Sequence, residues 1–169
     1  AVTAMALKAF AQAGDIGDIA VRTRARNAIA LTLADPKAME AVSTGGMGNY
    51  VMSSVASGLA TVGDADAMVG AQRAIRWLAE NQWDEAEGID ASKDWYGGAG
   101  YGNGKRPDLS NTQMMLDAMH DAGVSPDEPA VQRALATGGC RPPFSDRKST
   151  PRGDALNREA SHPTRLSRH

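Results

Sequence analysis

Several groups of side chains have types and spacings that chemistry uses. Trp77, Trp83, Trp95, Tyr96 and Tyr101 are five of the eight aromatic residues in the chain, gathered in one stretch. Ring faces attract cations through the quadrupole of the π system, and the same rings fill gaps between packed units. The acids form a second group. Asp15 with Asp18, and Asp64 with Asp66, follow apolar stretches, and Asp84-Glu85-Ala86-Glu87-Gly88-Ile89-Asp90 is an acidic run. Paired carboxylates can hold Mg²⁺ and a diphosphate, but these pairs read better as helix caps and turn residues. The run lacks the oxygen spacing of a calcium loop and reads as solvated chain. Asp108-Leu109-Ser110-Asn111 reads as a helix start, where Asp108 or Ser110 accepts a hydrogen bond from a free backbone N–H. Cys140 is the only cysteine, which excludes an internal disulfide and a cysteine-based zinc cluster. His120 falls on a helical pattern and reads as a partly exposed helix residue. Neither a metal nor a cofactor is expected.

The elements that must position these residues are legible as an internal repeat. Gly14, Gly63 and Gly123 each follow a small or branched residue, and they superpose with offsets of 49 and 60. Phe10, Leu59 and Met119 then coincide, as do Leu7, Ala56 and Leu116, and Thr3, Met52 and Thr112. The i, i+4, i+7 spacing is one face of a helix, and a glycine just beyond it suits the left-handed residue that closes a last turn. A second helix follows each first one. Ala28-Ile29, Ala74-Ile75 and Ala134-Leu135 coincide, and Gln72-Arg73 recurs as Gln132-Arg133. Pro129, after Asp127 and Glu128, marks a helix start. The unit is helix, glycine turn, helix, three times over. Helices are expected near residues 2–13, 20–34, 50–62, 66–81, 110–122 and 128–137. The expected core is Leu7, Phe10, Ile29, Leu59, Ile75, Leu78, Leu116, Met119 and Leu135. The connections Gly45-Gly46-Met47-Gly48-Asn49-Tyr50 and Gly97-Gly98-Ala99-Gly100-Tyr101-Gly102 read as tight turns. No Lys-Ser/Thr follows them and no strand precedes them, as a phosphate loop would require. Each hairpin has an apolar stripe that only a neighbouring hairpin can bury.

The turn Gly97-Gly98-Ala99-Gly100-Tyr101-Gly102, followed by Pro107-Asp108-Leu109-Ser110-Asn111-Thr112-Gln113 and then Leu116, Ala118 and Met119, carries a family resemblance. It resembles the repeats shared by squalene–hopene cyclases, other class II terpene cyclases and protein prenyltransferase β-subunits. The resemblance runs from about Val2 to about Ala136. It implies an α/α toroid, with inner and outer helices around an apolar cavity, of which three hairpins would form an incomplete arc. It also implies a parent protein that acts on isoprenoid chains. The family's acid motif, Asp-x-Asp-Asp-Thr, aligns with Asp108-Leu109-Ser110-Asn111-Thr112. Asp108 is the one acid of the motif that is kept and the candidate catalytic residue that the resemblance implies, while Ser110 stands at the middle position, the family's proton donor, and Asn111 at the last. A hydroxyl cannot protonate an alkene, so this chain is expected to be inactive alone. Trp95, Tyr96 and Tyr101 are the implied binding aromatics. The zinc ligands of the prenyltransferases have no counterpart. The other reading kept open is a non-catalytic helical-repeat module that binds an isoprenoid, another apolar ligand or a protein partner.

Composition supports the helical reading. Hydrophobic residues are 42% and aromatics only 5% of 169 residues, and alanine-rich, aromatic-poor sequence favours helix over strand. The net charge of −2 offers no nucleic-acid footprint, and no apolar run is long enough to span a membrane. Residues 1–138 are expected to form the repeat region and 139–169 a basic, disordered tail. Helical text begins at Val2 with no leader pattern before it, and Pro142-Pro143 follows a broken third unit. The chain is therefore expected to be a fragment.

Overall fold

The computed structural model describes residues 1–14, 19–101 and 106–137. The expected basic tail, Cys140, Asp15 and Asp18 lie outside these residues. The described chain is all helical: α1 (Val2–Gln12), α2 (Ile19–Ala34), α3 (Pro36–Thr44), α4 (Gly48–Val62), α5 (Ala65–Glu80), α6 (Leu109–Asp121) and α7 (Pro129–Ala136), with a 3-10 turn at Glu85–Glu87 and no strand among the described residues. Local chemistry fixes the ends. Asp64 caps α5 by accepting from the Ala67 N–H at 2.8 Å, and Gly63 closes α4 at φ +73°, a left-handed conformation that glycine adopts freely.

Helices α1, α4 and α6 lie side by side with α4 in the middle, while α2 and α5 touch each other and pack behind α1 and α4 respectively. Helix α7 packs on α6. The repeated hairpins are thus α1/α2, α4/α5 and α6/α7. Because α4 has neighbours on both flanks, its residues from Met52 to Leu59 are all buried. Its approach to α1 is close. A Cβ added at Gly58 would lie 2.6 Å from the Ala4 carbonyl oxygen. Leu7, Leu59, Leu78 and Met119 are fully buried, and burying such a side chain stabilises the fold by roughly 1.5–3 kcal/mol.

Two expected core residues are not in the core. Phe10 is 38% exposed and Leu135 is 41% exposed. Leu59, the register partner of Phe10, packs against Gly70, where an added Cβ would meet Leu59 Cδ1 at 2.7 Å. Phe10 stands on α1, which packs against α4 and α2, whereas α4 has α1 and α6 on its two flanks and α5 behind it. Helix α7 is short and turns Ala130, Val131 and Ala134 inward. Leu135 falls one residue past that face. Ile75 and Leu116 are half-buried against the core.

Helix α3 lies in a stretch that the repeat register leaves as connection. Its start is nonetheless written locally: Asp35 accepts from the Lys37 N–H at 2.9 Å and Pro36 takes the first helical position. Gly48 and Asn49, expected in a turn, belong to the first turn of α4. Gly48 is required for space, since a Cβ there would stand 2.6 Å from the Trp77 ring.

Candidate functional site

The Asp108 segment is a hydrogen-bonded knot at the start of α6. Asp108 is the N-cap. Its Oδ1 accepts from the Asn111 backbone N–H at 2.9 Å, and its Oδ2 accepts from Asn111 Nδ2 at 2.8 Å. Asn111 is 1% exposed, and Asn49 Nδ2 at the start of α4 donates to its carbonyl at 2.9 Å and to its Oδ1 at 3.1 Å. The Thr112 hydroxyl donates to the Asp108 carbonyl at 2.8 Å and accepts from the Ala99 N–H at 3.0 Å. The Asp108 N–H donates to the Ala99 carbonyl at 3.0 Å. Asp108, Asn111 and Thr112 therefore tie the glycine-rich loop, α6 and α4 together. Ser110 is exposed on the solvent side of the same turn.

The expected binding aromatics stand on the loop that follows α5. Trp95 is 42% and Tyr101 is 39% exposed, while Tyr96 is half-buried. Trp83 and Trp95 meet edge to face with ring centroids 6.3 Å apart. The Tyr96 hydroxyl donates to Glu85 Oε1 at 2.9 Å, and this bond, with the nearby carboxylate charge, raises the phenol above its ordinary value. Trp77 lies apart, with Nε1 donating to Ser43 Oγ at 3.2 Å. Trp83, Trp95 and Tyr96 thus have partners within their own loop, and Trp77 has one in α3.

Sequence reasoning missed Gln82. It is fully buried, and its Nε2 donates to the carbonyls of Gly97 at 2.9 Å and Ala130 at 2.8 Å. Its Oε1 accepts from Arg133 Nη2 at 3.1 Å. Gln82 thus joins the end of α5, the glycine turn and α7. Gly97 sits at φ +77° and so close to α7 that a Cβ would lie 2.0 Å from the Arg133 carbonyl oxygen. No periodicity marks a buried glutamine in a loop.

A second missed cluster links the three side-by-side helices. Lys8 Nζ donates to Ser57 Oγ and to Asp121 Oδ2, each at 2.6 Å. Ser57 Oγ donates to the same carboxylate oxygen of Asp121. Burial pushes the Asp121 carboxyl up, but the hydrogen bonds from Lys8 and Ser57 and the charges of Lys8 and His120 outweigh it, leaving the group below its ordinary value. An ammonium shared between a carboxylate and a hydroxyl offers no lone pair, so the cluster is an ion pair with a bridging serine, not a base–nucleophile pair. Beside it lies a cleft of about 170 Å³ lined by Met5, Lys8, Ser53, Ser54, Ser57 and Met114, among others. The Ser53 Oγ there is buried without a hydrogen-bond partner.

Two further recesses flank α1. One, of about 230 Å³, holds Arg22, Arg26 and Asp64, the latter two paired at 2.6 Å. The Ala67 N–H, against the opposing effect of burial, and then Arg26 set the Asp64 carboxyl below its ordinary value. The other, of about 130 Å³, is a groove open to solvent on one side, lined by residues of α1, α2, α3 and α4 that are mostly apolar, with Thr3 and Thr32 among them. Among the described residues no group of three or more His, Cys, Asp or Glu side chains is placed to hold a metal ion. No described helix is long and apolar enough to cross a membrane.

Comparisons with protein families, with curated proteins and with solved structures give no match for this chain.

Proposed function

We propose that the chain is a segment of an α/α-toroid repeat protein similar to the squalene–hopene cyclases and prenyltransferase β-subunits, a segment without turnover of its own. The three stacked hairpins support the repeat part of this reading. One observation carries the absence of turnover. Both oxygens of Asp108 accept hydrogen bonds from Asn111, and Asn111 stands where the family has an acid. An acid that protonates an alkene must offer its proton to an apolar cavity. Asp108 instead faces donors at a helix N-terminus. Incubation of the full chain with squalene and with prenyl diphosphates, followed by product analysis, tests this. No product above a protein-free control is expected, and cyclised or prenylated product would overturn the proposal.

The reading as a helical-repeat module that binds an apolar ligand has a specific observation in its favour. The recess between α1, α2, α3 and α4 is walled by Ile29, Leu33, Met39, Met52 and Val55.

A further inference from the structure

The cleft of about 170 Å³ beside the Lys8–Ser57–Asp121 cluster is built from equivalent positions of the three repeats. The offsets of 49 and 60 that superpose the glycines bring Met5, Ser54 and Met114 into one position, and Lys8, Ser57 and Asp117 into another. All six line the cleft. Its floor is the serine face of α4, with Met5 of α1 and Met114 of α6 on its two sides. Short side chains on the middle helix and long ones on its neighbours create the hollow.

Two groups in this hollow have no partner among the described residues. The Ser53 side chain is 1% exposed, and its hydroxyl makes no hydrogen bond. A buried hydroxyl without a partner is costly, and native folds seldom leave one. The serines beside it are satisfied. Ser54 Oγ donates to the Tyr50 carbonyl at 2.8 Å, and Ser57 Oγ donates to Asp121. The second group is the Asp117 carboxylate, which is exposed and makes no hydrogen bond or ion pair among the described residues.

The two groups are level with each other. Helices α4 and α6 run in the same direction, tied near their starts by Asn49 and Asn111 and further along by Ser57 and Asp121. Ser53 stands one turn before Ser57, and Asp117 one turn before Asp121. Charge then selects the ligand. Lys8 and Asp117 are the charged residues of the lining. Lys8 Nζ is already matched by Asp121 at 2.6 Å, so the Asp117 carboxylate is the charge left over. An ammonium group supplies what both orphans lack: a counter-charge for Asp117 and an N–H donor for Ser53 Oγ. The thioether side chains of Met5 and Met114 are adaptable walls for a short alkyl chain.

We propose that the cleft between α1, α4 and α6 binds a short primary alkylammonium, whose N–H groups donate to Asp117 and to Ser53 Oγ while its chain lies between Met5 and Met114. The cleft volume, about 170 Å³, is enough for about five heavy atoms, since roughly 150 Å³ takes a benzene-sized guest. The proposal does not rest on the isoprenoid reading, because it requires N–H donors and a carboxylate partner rather than an apolar chain alone.

Methionine methyl NMR of the full chain tests it with n-butylammonium chloride at pH 7, with ionic strength held constant by sodium chloride. Met5 and Met114 line the cleft, while Met39 and Met52 line a different recess. Saturable shifts are expected at Met5 and Met114 and none at Met39 and Met52. Tetramethylammonium, which has no N–H, and n-butanol, which has no charge, are expected to give no saturable shift at any of the four. Asp117→Asn changes an exposed residue without a partner in the fold and should weaken binding by about tenfold. Ser53→Ala should weaken it by about threefold and, without ligand, leave the Tm unchanged or higher, because the orphaned hydroxyl is gone. Shifts that do not saturate, that appear equally at all four methyls, that tetramethylammonium reproduces, or that survive Asp117→Asn unchanged would overturn the proposal.

Discussion

Restoring an acid at position 111 is expected to cost stability rather than create activity. Asn111 Nδ2 donates to Asp108 Oδ2 at 2.8 Å inside the fold. Asn111→Asp removes that donor and sets two carboxylates against each other. A hydrogen bond to a charged group contributes roughly 1.5–3 kcal/mol. Like charges held at 2.8 Å repel by roughly 6 kcal/mol at an effective dielectric of about 20, and by about half of that once they separate to about 5 Å. One gain opposes this. Asn49 Nδ2, which donates to Asn111 Oδ1 at 3.1 Å, would meet a charged acceptor, for about 1 kcal/mol. The net expectation is a loss of about 3.5–5 kcal/mol at pH 7, a large share of a typical domain's stability. Thermal unfolding followed by circular dichroism should show a Tm lower by about 10 °C. The new carboxyl is raised above its ordinary value by its neighbour and by burial. A raised acid binds its proton more tightly in the folded state, so the penalty is absent below about pH 4 and grows as pH rises through the ordinary carboxyl range. The Tm deficit should therefore shrink between pH 7 and pH 4. Exchanging the pair, Asp108→Asn with Asn111→Asp, restores one carboxylate and one amide and should recover more than half of the loss. A single Asn111→Asp variant that melts within about 2 °C of the wild type at pH 7, or a deficit equal at both pH values, would refute the reasoning.

Gly58→Ala should destabilise the fold by about 1–2 kcal/mol in a denaturant titration. The gain in helix propensity of about 1 kcal/mol loses to a Cβ placed 2.6 Å from the Ala4 backbone oxygen, which only a shift of α1 relieves. The lowered Asp121 carboxyl adds stability above its unfolded pKa that is lost as pH falls through its folded value. The Tm difference between wild type and Lys8→Met should accordingly narrow from pH 5 to pH 2. Leu78→Ala should cost about 2–5 kcal/mol, because Leu78 is fully buried. Leu135→Ala should cost less than about 1 kcal/mol, because its side chain is half in water.

The helix order was legible because each unit repeats the same local signals. The apolar spacing of Leu7, Ala56 and Leu116 marks one face, and Gly63 marks the end of α4. Helix α3 was equally written in Asp35-Pro36, but it has no register partner, so a reading built on repeats passes over it. Phe10 and Leu135 were misplaced because periodicity finds a face without showing what covers it. Gly70 admits Leu59 from α5, a neighbour that the register of α4 alone does not show. Asp108 was readable as a cap from its position before α6. The tie from Asn111 to Asn49 was not, because the partner is 62 residues away in sequence. The same distance hid the Lys8–Ser57–Asp121 cluster, whose members span 113 residues. Gln82 was hidden for a further reason, since its partners are backbone carbonyls that carry no sequence signature.

The three hairpins stand side by side with α4 in the middle, enclosed by α1, α5 and α6. Native-state amide hydrogen exchange of the full chain measures this directly. Buried helix amides open only with global unfolding, while helices with one open flank open locally. The amides from Met52 to Leu59 should be the slowest in the described chain. Those of α1 and α7 should exchange at least about tenfold faster, a gap of about 1.4 kcal/mol in opening free energy. Exchange in α4 as fast as in α1 and α7 would contradict the stacked arrangement.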